Sequence, residues 1–126
     1  MALILDTNAL SALADGDVKL EQALANRRLA LPVTVLGEYV YGILRSRYRT
    51  QYERWLEGRL AEIELLVAGR ATAGHYAEIS HELRSSGRPI PSNDLWIAAA
   101  AREHDMPIVT RDRHFGAVRR VQVISW

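Results

Sequence analysis

The stretch IPSNDLWIAAAA, residues 90–101, decides the fold because it places an Asn-Asp pair at the start of an alanine-rich helix. Asn93 is a residue type that begins helices, and Asp94 then falls in the first turn. The alanines of residues 98–101 have short side chains, which allow a helix to approach a neighbouring element closely. We therefore expect this helix to pack tightly on a sheet and to fix the position of the Asp94 carboxylate.

Strands and helices are predicted to alternate along the rest of the chain. Helical patterns separate five short apolar runs that are typical of buried strands: ALIL (2–5), RLAL (28–31), EIELL (62–66), PIVT (107–110) and VQVIS (121–125). This alternation predicts an α/β fold with a mainly parallel sheet that is covered on both faces. No repeat or linker interrupts the pattern, so we expect residues 1–126 to form a single domain.

The composition is that of an ordinary globular protein, with 48% hydrophobic and 25% charged residues. There is no cysteine, and the N-terminus MALILD lacks the basic and long apolar segments of a signal peptide. A cytoplasmic location without membrane insertion is expected. Of the sixteen basic residues only Lys19 is a lysine. This excess of arginine indicates either local recognition of anions or a GC-rich genome.

Four acidic residues are predicted to meet at one edge of the sheet. Asp6 follows the first strand, Asp112 follows the fourth, and Glu38 and Asp94 lie near the starts of crossover helices. In open α/β sheets, ligands bind beyond the carboxyl ends of the strands. Clustered carboxylates repel one another unless they are protonated or bind a cation, and oxygen ligands favour Mg²⁺ or Mn²⁺. The pattern predicts a metal-assisted hydrolysis of phosphodiesters.

Each acid also has a purely structural interpretation. Asp6 can cap the helix that follows it, and Asp94 can interact with a helix dipole. Glu38 can face solvent, opposite an inward stripe formed by Leu36, Val40, Ile43 and Leu44. Asp112 can be solvated in the charged loop RDRH. The polar neighbours can orient the acids or serve only as caps and turns; they are Thr7, Asn8, Ser92, Asn93 and Thr110.

Four motifs taken together resemble the PIN-domain ribonucleases, and in particular the VapC-type toxins of toxin-antitoxin pairs. They are LILDTN, TVLGEYVYG, IPSNDLWIAAAA and IVTRDRHF, and they occur in the order typical of that family. The resemblance covers essentially the whole chain. Gly37 and Ser92 depart from the alanines that are common in the family at these positions, but neither change removes an acid.

The resemblance implies a three-layer α/β/α sandwich with a five-stranded sheet. It also implies that Asp6, Glu38, Asp94 and Asp112 are catalytic, with Asp6, Asp94 and Asp112 binding Mg²⁺ or Mn²⁺. Phe115 matches an aromatic position that we expect in the core. The implied substrate is RNA, and the implied partners are a small antitoxin and a second copy of the chain. A PIN-fold protein that binds RNA or protein without cleaving is the alternative.

Arginines provide candidate contacts to RNA. The segment RSRYRTQYERWLEGR, residues 45–59, mixes arginines with aromatic residues, a combination that suits single-stranded RNA. It can equally form two amphipathic helices or a surface for protein partners. The candidate RNA-binding residues are Arg45, Arg49, Arg111 and Arg113. The four histidines show no metal-ligand spacing shared with the acids, and only His114, near Asp112, remains open.

Overall fold

The computed structural model describes residues 1–126. Five strands form one sheet: β1 (Leu3–Leu5), β2 (Leu29–Pro32), β3 (Ile63–Leu66), β4 (Ile108–Val109) and β5 (Val123–Ile124). The helices are α1 (Thr7–Ala14), α2 (Val18–Leu24), α3 (Val33–Leu44), α4 (Arg49–Leu60), α5 (Arg70–Ser85) and α6 (Ser92–His104), with a 3₁₀ helix at Arg113–Ala117. The predicted strands and helices are confirmed. β1, β3, β4 and β5 are shorter than their apolar runs, whereas β2 has the length of its run and lies one residue later.

The sheet is parallel throughout and has the strand order β3-β2-β1-β4-β5. Leu3, Ile4 and Leu5 are each at most 1% exposed although successive side chains of a strand point to opposite faces. Both faces of the sheet are therefore covered by helices, as a three-layer sandwich requires. The chain passes from β1 to β2 and β3 on one side and then returns to β4 on the other, so the strand order reverses between β1 and β4.

Helix α6 packs against α5, α3 and β2. Its alanines, residues 98–101, are at most 4% exposed, in agreement with the close packing predicted from the sequence. The helix begins at Ser92, one residue earlier than expected, and Asp105 ends it in the left-handed conformation with φ 53°. The N-terminus of α6 thereby lies at the edge of the sheet where β1 and β4 end.

The inward face of α3 differs from the prediction. Val35, Tyr39 and Ile43 are buried, whereas Val40 and Leu44 are 36% and 51% exposed. The predicted stripe was wrong because apolar residues lie on every side of this helix, so periodicity alone does not single out the buried face. Phe115 is fully buried, as predicted. Trp96 is half-buried and stacks on Tyr76 with 4.2 Å between ring centroids.

No helix of this chain is both long enough and apolar enough to cross a lipid bilayer.

Candidate active site

Asp6 occupies the point where the strand order reverses. It directly follows β1, and its side chain is buried at 4% residue exposure. Oδ1 accepts a hydrogen bond of 2.8 Å from the backbone N–H of Ala9, and Oδ2 accepts one from the hydroxyl of Thr110, which follows β4. Asp6 therefore caps α1 and at the same time faces the end of the adjacent strand.

Burial is the main cause that raises the pKa of Asp6 above its usual value. The hydrogen bonds from Thr110 and Ala9 oppose this shift, and the negative charges of Asp112 and Asp94 add to it. The same charges would be offset by a nearby cation. The electrostatic environment of Asp6 thus favours either a proton or a positive ion.

Asp94 and Asp112 approach each other through His114. Nδ1 of His114 lies 3.0 Å from Oδ2 of Asp94 and 3.2 Å from Oδ1 of Asp112. Asp112 begins the 3₁₀ helix by accepting the N–H of His114 at 2.9 Å, and its own N–H donates to the Thr110 hydroxyl at 2.8 Å. Local turn geometry thus holds Asp112 and His114 beside the first turn of α6.

The pKa values of this group are coupled. Burial raises the pKa of Asp94 and the charge of Asp112 adds to the effect, while the hydrogen bond with His114 opposes it. The pKa of His114 is raised above its usual value, chiefly by the hydrogen bond to Asp94 and also by the charge of Asp112. An imidazolium at His114 therefore partly neutralises the two carboxylates.

Glu38 reaches the same site from α3. Its side chain is half-buried, and Oε1 accepts a hydrogen bond of 3.3 Å from the Thr7 hydroxyl on α1. The interpretation of Glu38 as a solvent-facing residue opposite an apolar stripe is not supported, because that stripe is not the buried face.

A cleft of about 300 Å³ brings the candidate residues together. All four acids line it, together with Thr7, Asn8, Asn93 and His114. Thr110 lies behind Asp6 and orients it. Ser92 does not line the cleft, and its hydroxyl lies 3.3 Å from that of Tyr76.

The candidate RNA-binding arginines lie outside this cleft. Arg111 lies over the ring of Trp126 at 4.4 Å and donates to the Trp126 carbonyl at 3.1 Å. Arg49 pairs with Glu53 at 3.0 Å, and the guanidinium of Arg45 lies 5.1 Å from the Tyr41 ring centroid. Arg113 is exposed. The structure does not gather these arginines into one group with the acids.

Sequence reasoning left His114 open rather than assigning it to the site. Asp94, Asp112 and His114 each offer a ligand atom, and these atoms all lie within 4.8 Å of one another. Asp6 is not part of this closest group. The available signal was the spacing Asp112-x-His114 after a strand end, where a tight turn places both side chains on one side.

The sequence and the fold were compared with known proteins. The sequence model of the PIN domain matches residues 3–121. Ribonuclease VapC5 of Mycobacterium tuberculosis is 35% identical over 118 residues, which cover 91% of this chain and 86% of the relative. Ribonuclease VapC1 of Haemophilus influenzae strain R2866 is 28% identical over 132 residues, which cover 100% of this chain and 98% of the relative.

Two solved structures illustrate the similarity of the fold. The structure of VapBC2 from Rickettsia felis, bound to a DNA fragment from its promoter, superposes with a TM-score of 0.91 at 25% identity, covering 100% of this chain and 99% of that one. The structure of VapBC-5, a toxin-antitoxin system from Mycobacterium tuberculosis, superposes with a TM-score of 0.79 at 31% identity. The match covers 99% of this chain and 98% of that one.

Proposed function

Since this chain belongs to the PIN-domain family, we propose that it is a divalent-metal-dependent endoribonuclease and the toxin of a toxin-antitoxin pair. The observation that carries the proposal is the single cleft lined by Asp6, Glu38, Asp94 and Asp112, which come from four separate parts of the chain. The relatives named VapC ribonucleases support RNA as the substrate. We further propose that residues 1–126 act as one PIN domain.

The donor set of the cleft suits a hard divalent cation. Asp6, Asp94 and Asp112 offer carboxylate oxygens, which Mg²⁺ and Mn²⁺ prefer, and His114 in its deprotonated form would add an imidazole nitrogen, which Mn²⁺ accepts more readily than Mg²⁺ does. Burial, with a smaller contribution from the neighbouring carboxylate charges, raises the pKa of Asp6 and of Asp94, so a bound cation would stabilise their charged forms. We propose these three aspartates as the metal ligands.

A divalent ion bound there would activate a water molecule and neutralise charge that builds on the oxygens of the scissile phosphate. The protein's own residues prepare this arrangement. Thr110 orients the Asp6 carboxylate by donating to it, and Thr110 also accepts the backbone N–H of Asp112, so one hydroxyl couples both acids. Asn8 and Asn93 line the cleft and are proposed to hydrogen-bond the substrate or the acids.

Glu38 is proposed to accept the proton from the attacking water. The Thr7 hydroxyl holds one of its oxygens, and the other is free to accept. In this role Glu38 lines the cleft without being part of the closest group of ligand atoms. The hydrolysis breaks the bond between phosphorus and one ribose oxygen, and the departing oxygen takes a proton from solvent.

We propose two protein partners, a small antitoxin and a second copy of this chain. The structural neighbours that are toxin-antitoxin complexes support the antitoxin. An exposed apolar face on α3, formed by Val33, Val40, Tyr41 and Leu44, supports the second copy. Arg45, Arg49, Arg111 and Arg113 are proposed to guide the RNA backbone outside the cleft rather than to bind the scissile phosphate. A cytoplasmic location is proposed because RNA is the substrate.

The test is cleavage of single-stranded RNA with Mg²⁺ or Mn²⁺ by the wild-type protein and by Asp94→Asn. We expect a rate loss on the order of 100-fold or more, because one charged ligand is removed while the side-chain shape is kept. Chelation should abolish wild-type cleavage. The matched control is Glu78→Gln, which neutralises an exposed acid on α5 and should leave the rate unchanged.

Equal rates for the wild-type protein and Asp94→Asn would contradict the catalytic assignment and favour the non-cleaving module. Growth arrest on expression, abolished by Asp94→Asn, distinguishes a toxin from a nuclease with a housekeeping role.

A further inference from the structure

A second concavity opens directly from the acidic cleft. It has a volume of about 290 Å³ and runs between α1 and α3. Thr7 and Glu38 line both spaces, so the two are continuous. The lining continues along α1 through Ser11 to Asp15, the residue that follows the helix; Asp15 is eight residues from Thr7, a distance of about 12 Å along a helix axis. We name this space the α1–α3 groove.

The far end of the groove contains an unpartnered hydroxyl. Tyr39 is 6% exposed, lines the groove, and its phenol oxygen has no hydrogen-bond partner in the protein. Nearby, the Tyr52 hydroxyl donates to Oδ1 of Asp15 at 2.7 Å. Burial, together with Tyr52 and Asp15, raises the pKa of Tyr39 to about 12, so its hydroxyl keeps its proton at neutral pH. An unpaired buried hydroxyl costs about 1 to 3 kcal/mol. A ligand that accepts a hydrogen bond would recover this cost.

The charges of the groove select the chemistry of that ligand. Its lining includes the carboxylates of Asp15 and Glu38 and contains no lysine or arginine, so a phosphate group is disfavoured. A suitable group presents N–H donors to Asp15 and a carbonyl oxygen to the Tyr39 hydroxyl. Guanine offers an amino group, a ring N–H and the O6 acceptor side by side. RNA-binding proteins commonly read splayed-out bases by such edge contacts and by packing on aromatic rings.

We propose that the α1–α3 groove is a nucleobase subsite that takes a guanine of the RNA next to the scissile phosphate. Asp15 accepts the N–H groups of the base and Tyr39 donates to O6. Tyr52 holds the Asp15 carboxylate in place. This inference rests on the proposed ribonuclease function, because only an RNA that crosses the acidic cleft would present a base to the adjoining groove. In this proposal, the preference for a particular RNA sequence depends on residues outside the acidic cluster.

Nucleoside binding tests the subsite without catalysis. Chemical-shift titration by NMR compares guanosine, inosine, adenosine and cytidine. We expect guanosine to bind best and inosine, which lacks the amino group, to bind several-fold more weakly. Tyr39→Phe and Asp15→Asn should each weaken guanosine binding about 5- to 10-fold, as the loss of one hydrogen bond predicts. The matched control is Asp105→Asn, which neutralises an exposed carboxylate outside the groove and should not change binding.

Cleavage of oligoribonucleotides with a single guanine at each successive position provides the second readout. We expect the wild-type protein to prefer guanine at one fixed distance from the cut, and replacing that guanine by inosine should lower kcat/KM about 5-fold or more. In Tyr39→Phe and Asp15→Asn, the ratio between guanine and inosine substrates should approach 1. Circular dichroism spectra show whether the variants are folded, and Tyr39→Phe retains the buried ring.

Equal binding of the four nucleosides, or guanosine binding that neither substitution weakens, would overturn the subsite. Stronger binding of argininamide than of guanosine would also overturn it and would assign the groove to a cationic protein segment. The two proposals fail separately. Guanosine binding that depends on Tyr39 without RNA cleavage contradicts only the nuclease, whereas cleavage without base preference contradicts only the subsite.

Discussion

At the scale of single residues, Asp6 combines two roles that sequence analysis treated as alternatives. Its Oδ1 caps α1, while its Oδ2 faces Thr110 and the other acids. The capping bond fixes the carboxylate orientation, so the structural role prepares the chemical one. Sequence alone identified the acids because each follows a strand or begins a helix. It did not identify the approach of His114, which depends on the side-chain directions within one 3₁₀ turn.

Removal of one charge from the cluster should stabilise the metal-free protein. Asp112→Asn eliminates a charge that raises the pKa of both Asp6 and Asp94, and asparagine caps a turn as well as aspartate does. We expect a gain of up to about 1 kcal/mol at neutral pH. Thermal unfolding with and without Mn²⁺ measures it, and Mn²⁺ should raise the Tm of the wild-type protein more than that of Asp112→Asn. A variant that Mn²⁺ stabilises equally would exclude Asp112 as a ligand.

The raised pKa of Tyr39 predicts how the stability of the protein changes at alkaline pH. Because the pKa in the folded protein is raised from 10.0 to about 12, its contribution to stability is complete below pH 10 and is lost as the pH rises towards 12. Tyrosine absorbance at 295 nm should therefore show a group that ionises near pH 12 in the wild-type protein. Tyr39→Phe should lack this late phase, while the exposed-residue control Tyr41→Phe should retain it.

At the scale of secondary structure, short apolar runs predicted the strands well because parallel strands are buried on both faces and read as continuous apolar segments. The face of α3 could not be predicted in the same way. Its apolar residues surround the helix, and the buried side is chosen by contacts with α1 and α6 that the linear sequence does not specify. The sequence therefore identified Glu38 by its position near the start of a crossover helix, but it did not predict the direction of its side chain.

The alanine-rich helix α6 provides a test of close packing. Ala99 is fully buried, so Ala99→Leu must displace neighbouring atoms and should cost about 1 to 3 kcal/mol of stability. Ala77→Leu makes the same change on the exposed side of α5 and should alter stability by less than about 0.5 kcal/mol. Urea unfolding of both variants measures the difference. Equal midpoints would show that α6 does not need its alanines in order to pack.

At the scale of the whole molecule, the strand order accounts for the position of the site. Because the order reverses between β1 and β4, a crevice forms at their carboxyl ends, and Asp6 and Thr110 enter it directly. The alternation of strands and helices predicted the α/β class and the edge where the acids meet. It could not predict the groove between α1 and α3, since that space depends on how two helices pack over the sheet.

The exposed apolar face of α3 predicts self-association. Leu44→Asp places a charge on this face, next to Val40 and Tyr41. It should weaken the dimer and raise its Kd at least 10-fold. Sedimentation equilibrium measures the change. Leu65→Asp, at an exposed position on β3, is the control and should leave the dimer intact. A wild-type protein that is monomeric at high concentration would contradict the proposed dimer.

The most direct test of the central claim is a titration of the protein with Mn²⁺ followed by electron paramagnetic resonance, which counts free ions. If Asp6, Asp94 and Asp112 share one cation-binding cleft, Asp94→Asn and Asp112→Asn should each weaken Mn²⁺ binding at least about 10-fold, and Glu78→Gln should have no effect. Mn²⁺ binding of equal strength in all four proteins would contradict the account.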